Sequence, residues 1–147
     1  MKKIFFLGII LLGIFFFSSY ILAQDIHIDI DVACPSNVKI GKALNITVEA
    51  CNEGTYSVTL KRGVTGLLAN SPSSNPISNV SVYGPYFRNF AANPWNISPG
   101  QCINRTVKVL NSVPQELAGT VGMVFFQFFD QSGHGIDGDG CQVPIVP

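Results

Sequence analysis

Asp25-Ile26-His27-Ile28-Asp29-Ile30-Asp31-Val32-Ala33-Cys34 alternates without a break. Ile26, Ile28, Ile30 and Val32 fall on one face of an extended chain, and His27, Asp29 and Asp31 fall on the other. That pattern predicts a strand with one face buried and one in water. Working outward, Ala43 to Asn52 repeats it, with Leu44, Ile46, Val48 and Ala50 inward and Asn45, Thr47 and Glu49 outward; Asn52-Glu53-Gly54 then supplies turn residues. Tyr56, Val58 and Leu60 predict a third strand, Val80 and Val82 a short one, Cys102 to Leu110 another, Gly119 to Asp130 a long one and Cys141 to Val146 the last. No segment keeps helical spacing for more than a turn or two, and Gly, Pro and Asn separate the strands. The expected fold is all-β, an antiparallel two-sheet sandwich of about seven strands.

What precedes the first strand is of another kind. Met1-Lys2-Lys3 leads into an unbroken apolar run from Ile4 to Phe17, and Ser18 to Gln24 follows. A cationic start, a short apolar core and a small residue at the cut are the layout of a secretory signal peptide. Residues 1–23 are read as that leader, a signal helix cleaved after Ala23; the rival reading is an uncleaved anchor, since Ile4 to Gln24 is just long enough to span a bilayer. Both readings export the remainder, so the expected location is secreted, periplasmic or cell-surface. Removing the leader takes two lysines and no acids from nine basic and nine acidic side chains, so the balance of zero becomes −2. A chain that is 47% apolar and only 12% charged is neither disordered nor equipped to bind nucleic acid. Roughly 120 residues suffice for one core and not for two, so residues 24–147 are expected to form a single domain. The stretch at about 63–98, which has few strand signals, is read as an insertion in it.

The turns carry a resemblance. Asp25 through Pro35-Ser36-Asn37-Val38-Lys39-Ile40-Gly41 to Ala43-Leu44-Asn45-Ile46-Thr47-Val48 and Asn52-Glu53-Gly54, then Ile97-Ser98-Pro99-Gly100-Gln101 and Gly119-Thr120-Val121, resembles the cell-adhesion-related immunoglobulin-like (fibronectin-III-like) domains of prokaryotic surface proteins. The resemblance spans nearly the whole mature chain and is carried by turn chemistry. It implies an immunoglobulin-like β-sandwich that serves as a binding or spacer module, with no catalytic residues to carry over. The chain departs from the pattern in its 63–98 insertion, in its four cysteines and in Trp95, which is read as lying in a loop rather than on the third strand.

Four cysteines in an exported domain favour two disulfides, with three connectivities open. Cys51 shares the outward parity of Asn45, Thr47 and Glu49, and Cys102 that of Asn104, Thr106 and Lys108. The immunoglobulin-like arrangement makes those strands antiparallel neighbours, which favours a cross-strand Cys51–Cys102 bridge. Cys34 has the parity of Ile30 and Val32, and Cys141 that of Val143 and Ile145, so Cys34–Cys141 would tie the first strand to the last. A metal site or redox pair is the weaker reading, because no two cysteines are spaced Cys-x-x-Cys.

For chemistry the inventory is thin. His27, Asp29 and Asp31 could share a divalent cation only with help from elsewhere, because alternate strand positions lie about 6 to 7 Å apart. A solvated strand face is the simpler reading. Asp130 to Gly140 has the Asp and Gly density of a calcium loop but lacks EF-hand spacing and its closing Glu, and reads as a hairpin between the last two strands. With two histidines and no nucleophile, zinc or phosphate motif, the expectation is no enzyme, no cofactor and no metal. Asn45, Asn79, Asn96 and Asn104 lie in glycosylation sequons.

Two surfaces stand out. Gly119 to Asp130 is apolar on both parities, Val121, Met123, Phe125 and Phe129 on one and Val124, Phe126 and Phe128 on the other. Something must cover the second face, either the insertion or a partner. The insertion holds a single charge, Arg88, among Tyr83, Tyr86, Phe87, Phe90 and Trp95. Such aromatics stack on sugars, anchor a partner or form a lid. The candidate surface is therefore Tyr83, Tyr86, Phe87, Phe90, Trp95, Val124, Phe126 and Phe128. The expected function is non-catalytic adhesion-type binding or a structural role, with a protein or glycan partner and no nucleic acid; a membrane enters only if the leader stays attached. Alternatives are a pilus-like subunit that self-associates by donating its N-terminal strand, and a carbohydrate-binding module built on the 83–95 aromatics.

Overall fold

The opening alternation becomes β1 (Ile28–Ala33), whose side chains are buried and exposed in strict turn. The computed structural model describes residues 26–70 and 80–147; the leader and Asn79 lie outside the described residues. β1 pairs antiparallel with β3 (Leu44–Asn52), and β3 pairs on its other side with β8 (Cys102–Leu110), giving a three-stranded sheet. The opposing five-stranded sheet has the order β2 (Val38–Lys39), β10 (Gly135–Val146), β9 (Val121–Phe129), β5 (Arg62–Asn70) and β6 (Val80–Asn89). β4 (Val58–Leu60) and β7 (Trp95–Ile97) form a small antiparallel pair. The all-β sandwich expected from the alternation is the observed class.

The core lies between the sheets. Leu44, Ile46 and Val48 of β3 meet Leu67 of β5, Val124, Phe126 and Phe128 of β9, and Val143 and Ile145 of β10, all buried. One buried polar side chain organises the exit from β3. Asn52 donates to the carbonyls of Tyr56 (2.7 Å) and Ile97 (2.9 Å) and accepts from the Gly54 amide (3.0 Å), so turn and β7 are tied to it with its amide satisfied.

Residues 63–98 are not an insertion laid over the sheet: among the described residues those up to Asn89 are strands β5 and β6 of it, and Trp95–Ile97 is β7, paired with β4. β5 sits between β9 and β6 in the plane of the five-stranded sheet. Its glycines hide the strand pattern and have a packing reason. A Cβ at position 66 would come within 2.6 Å of the Phe125 ring, and one at position 63 within 3.0 Å of the Phe126 ring. The aromatic rings of β9 therefore occupy the space that side chains on β5 would need. Trp95, expected in a loop, begins β7, pairs with Leu60 of β4 and is fully buried. Its indole meets Phe128 edge-on at 5.1 Å and Phe90 at 6.0 Å between ring centroids, and the Arg105 guanidinium lies 4.9 Å from its own centroid.

Both disulfides form as expected, Cys34–Cys141 across 107 residues and Cys51–Cys102 across 51. Cys51 stands opposite Cys102 in the β3–β8 register.

Candidate interaction surface

Strand pairing decides which parity of β9 faces out. Val124, Phe126 and Phe128 point to the core, so Val121, Met123, Phe125, Gln127 and Phe129 point away from it. The register carries this outer face across the sheet: Met123 stands beside Leu68, Leu68 beside Val82, and Val64 beside Phe87. Phe87 is 78% exposed, Val80 58%, Val82 57%, Val121 54% and Met123 48%. No side chain from Val80 to Phe87, from Val64 to Leu68 or from Val121 to Gln127 carries a charge. Arg88, next along β6, turns away and donates to the Val109 carbonyl at 2.8 Å. Across these stretches the outer face of the five-stranded sheet is apolar, bounded at one end by the exposed Arg62, which shares the outward parity of Val64 and pairs with Phe129; on the outer face of the three-stranded sheet Asp29, Asp31, Asn104 and Lys108 are exposed.

Of the residues read as a candidate surface, Tyr86 and Phe87 are exposed, Tyr83 and Phe90 are half-buried, and Trp95, Val124, Phe126 and Phe128 are core residues. The reason is local: the two apolar faces of β9 are alike in composition, and Trp95 and Phe90 supply partners for Phe126 and Phe128 on the inner one. A usable signal was Gln127, the one polar residue inside the run, which marks the odd-numbered parity as outward. Tyr83 donates to Glu116 at 3.0 Å; burial first, then this carboxylate, pushes its phenol above the ordinary value.

The acidic residues do different work from the one their spacing invited. Asp130 accepts the His134 amide at 2.8 Å, and that bond comes first among the causes that lower its carboxyl below its usual value. Asp137 and Asp139 reach across to β1, accepting the amides of Ile30 and Val32 at 2.9 Å each. The carboxylates that suggested a calcium loop therefore close a hairpin and cap a strand edge, and no cluster of three or more metal-ligating side chains occurs among the described residues. His27 stands 3.6 Å from Glu53, apart from Asp29 and Asp31 on the solvated face. Asn45, Asn96 and Asn104 are exposed, Asn104 donating to Glu49 at 2.6 Å. An open groove of about 980 Å³ lies at the pole where the described chain begins, lined by Ile26, Tyr56, Lys61, Arg62 and Phe129 among others.

No protein-family model matches the chain, and no curated protein matches it. Solved structures do resemble it. A β-glucosidase from Listeria innocua, in complex with isofagomine, superposes with a TM-score of 0.52 at 14% identity over 83% of this chain. The sporulation control protein Spo0M from Bacillus subtilis gives 0.51 at 11% identity over 84%. The solution structure of a CARDB domain from Pyrococcus furiosus gives 0.50 at 11% identity over 84% of this chain and 97% of that domain. This chain spans 16% of the β-glucosidase and 50% of Spo0M. At such identities the likeness is one of fold, and it places the chain among immunoglobulin-like β-sandwiches.

Proposed function

We propose that this chain is an exported, non-catalytic module of the adhesion type that binds another protein through the outer face of its five-stranded sheet. The observation that carries the reading is the uncharged apolar surface centred on Val82, Phe87, Met123 and Val121. With Val80, these five side chains expose on the order of 400–500 Å², the size at which an apolar patch on a monomer is commonly functional. Two intrachain disulfides and the leader-like N-terminus support an extracellular setting. Donation of the first strand to a neighbour has less support, because Cys34–Cys141 and the Asp137 and Asp139 carboxylates hold β1 in its own domain. A glycan-stacking site would rest on Tyr86 and Phe87, since Trp95 is in the core.

The test is site-specific photo-crosslinking of the full chain in an exporting host. A benzophenone side chain replacing Phe87 is expected to give discrete protein adducts. The same group replacing Thr106, exposed on the opposite sheet, is expected to give few. Equal yields from both positions, or none from position 87, would refute the reading.

A further inference from the structure

Asparagine is a poor strand residue, at home in turns and at the ends of elements where its amide can bond the backbone. Asn52, Asn70 and Asn89 follow that habit, closing β3, β5 and β6. Asn45, Asn96 and Asn104 do not, because they lie inside β3, β7 and β8. The same division is made by the sequence alone. Asn45-Ile46-Thr47, Asn96-Ile97-Ser98 and Asn104-Arg105-Thr106 are glycosylation sequons, and none of the strand-closing asparagines begins one. Because positions i and i+2 of an extended chain share a face, each sequon presents its amide and its hydroxyl together, and the side chains of all three pairs are exposed. The contacts these asparagines make do not account for their place in a strand. Asn96 accepts from the Thr59 hydroxyl at 3.0 Å and Asn104 donates to Glu49 at 2.6 Å, both in exposed positions where water serves as well. A solvated face is also served by threonine, which suits a strand better. A local choice that works against its own strand, and recurs in one pattern, marks a role beyond folding.

We infer that Asn45, Asn96 and Asn104 carry N-linked oligosaccharides, added by an oligosaccharyltransferase during export; the inference rests on the export reading. The co-reactant is an oligosaccharide joined through its anomeric carbon to a lipid phosphate. The asparagine Nδ2 forms a bond to that carbon, the carbon–oxygen bond to phosphate breaks, its electron pair leaves with the phosphate, and Nδ2 gives up one proton. No oxidant or reductant is needed, and the remaining N–H of Asn104 can still donate to Glu49. β3 is paired on both sides, to β1 and to β8, so transfer at Asn45 precedes closure of the sheet. Once the sheet is closed, the sugar stands in water. Thr47 faces Thr106 in the register, which sets Asn45 and Asn104 diagonally about that pair, about 13 Å apart along the strands. Two bulky, solvated chains there cover the outer face of the three-stranded sheet. The described strands of the five-stranded sheet hold no sequon asparagine, so these sugars leave its outer face open to a partner.

The experiment is intact-mass spectrometry of the full chain purified from the organism that encodes it. Export is scored separately, by recovery from the medium or digestion by protease added to whole cells. The wild type is expected to be heavier than its polypeptide, and Asn45→Gln, Asn96→Gln and Asn104→Gln each to remove one equal increment. Thr47→Ala, which keeps the asparagine, is expected to lose the same increment as Asn45→Gln, and Thr47→Ser to retain it. Asn89→Gln, outside any sequon, is expected to leave the added mass unchanged. An exported chain of bare polypeptide mass, or an added mass undiminished by the three asparagine substitutions together, would overturn the glycosylation and leave export standing. A bare chain that is not exported would remove both readings.

Discussion

Trp95 distinguishes a surface aromatic from a core one, and the structure sets the expected cost of removing it. The side chain is fully buried between Phe90 and Phe128, with Arg105 over its ring. Truncating such a residue to Ala costs about 3–5 kcal/mol through lost transfer energy and the cavity left behind. Unfolding entropy of roughly 0.25 kcal/mol per kelvin for about 120 residues converts this to a fall in melting temperature of about 12–20 °C. One feature of the site separates Ala from Phe. The indole Nε1 has no hydrogen-bond partner among the described residues, and an orphaned buried donor costs about 1–3 kcal/mol. Trp95→Phe keeps the edge-on contacts and removes that donor, so its net cost is expected below about 2 kcal/mol. Differential scanning calorimetry of wild type, Trp95→Ala and Trp95→Phe provides the measurement. A drop for Ala smaller than about 5 °C, or a Phe variant as damaged as the Ala variant, would show that the ring is not packed as described.

Other consequences follow from the same contacts. Replacing Cys34 and Cys141 by Ala is expected to destabilise by about 4.8 kcal/mol and replacing Cys51 and Cys102 by about 4.1 kcal/mol, as the longer loop loses more closure entropy; urea unfolding gives the order. Asp137→Ala with Asp139→Ala should raise amide exchange at Ile30 and Val32 by at least tenfold, because each loses a charged acceptor worth about 1.5–3 kcal/mol. In that variant the β1 edge is open, and light scattering should report association beyond that of the wild type. The Asp130 carboxyl, lowered by the His134 amide, stabilises the fold above the unfolded-state carboxyl value of about 3.9, and this contribution is lost as pH falls through the lower folded value. Its carbon-13 titration midpoint should therefore lie below that of a free aspartate and stay there in His134→Ala, where the backbone N–H remains.

How much of this was legible depended on whether one side-chain pattern excluded its rivals. In β1 and β3, polar and apolar residues alternate so cleanly that strand, face and neighbour all follow, and the parity of Cys51 and Cys102 with them. In β9 both parities are apolar, so strand was readable and orientation was not, except through Gln127. In β5, Gly63 and Gly66 erase the alternation, because the pattern there is written jointly with β9: the glycine on one strand makes sense only beside the phenylalanine on the other. Asp137 and Asp139 escaped for a similar reason. Their partners are backbone amides 107 residues away, and no spacing within their own loop points to β1.

Low charge acquires a direction once the sheets are in place. A domain that is 12% charged cannot guard every edge and face with ions. Here about half of them lie on edges or on one face: Asp137 and Asp139 at the β1 edge, Arg88 and Lys108 at β8, Lys39 on β2, and Asp29, Asp31 and Glu49 on the outer face of the three-stranded sheet. Capping of this kind discourages strand addition wherever it is applied. The Asp137 and Asp139 carboxylates therefore do two things at once: they hold the first strand in its own domain and occupy the amides that an added strand would need.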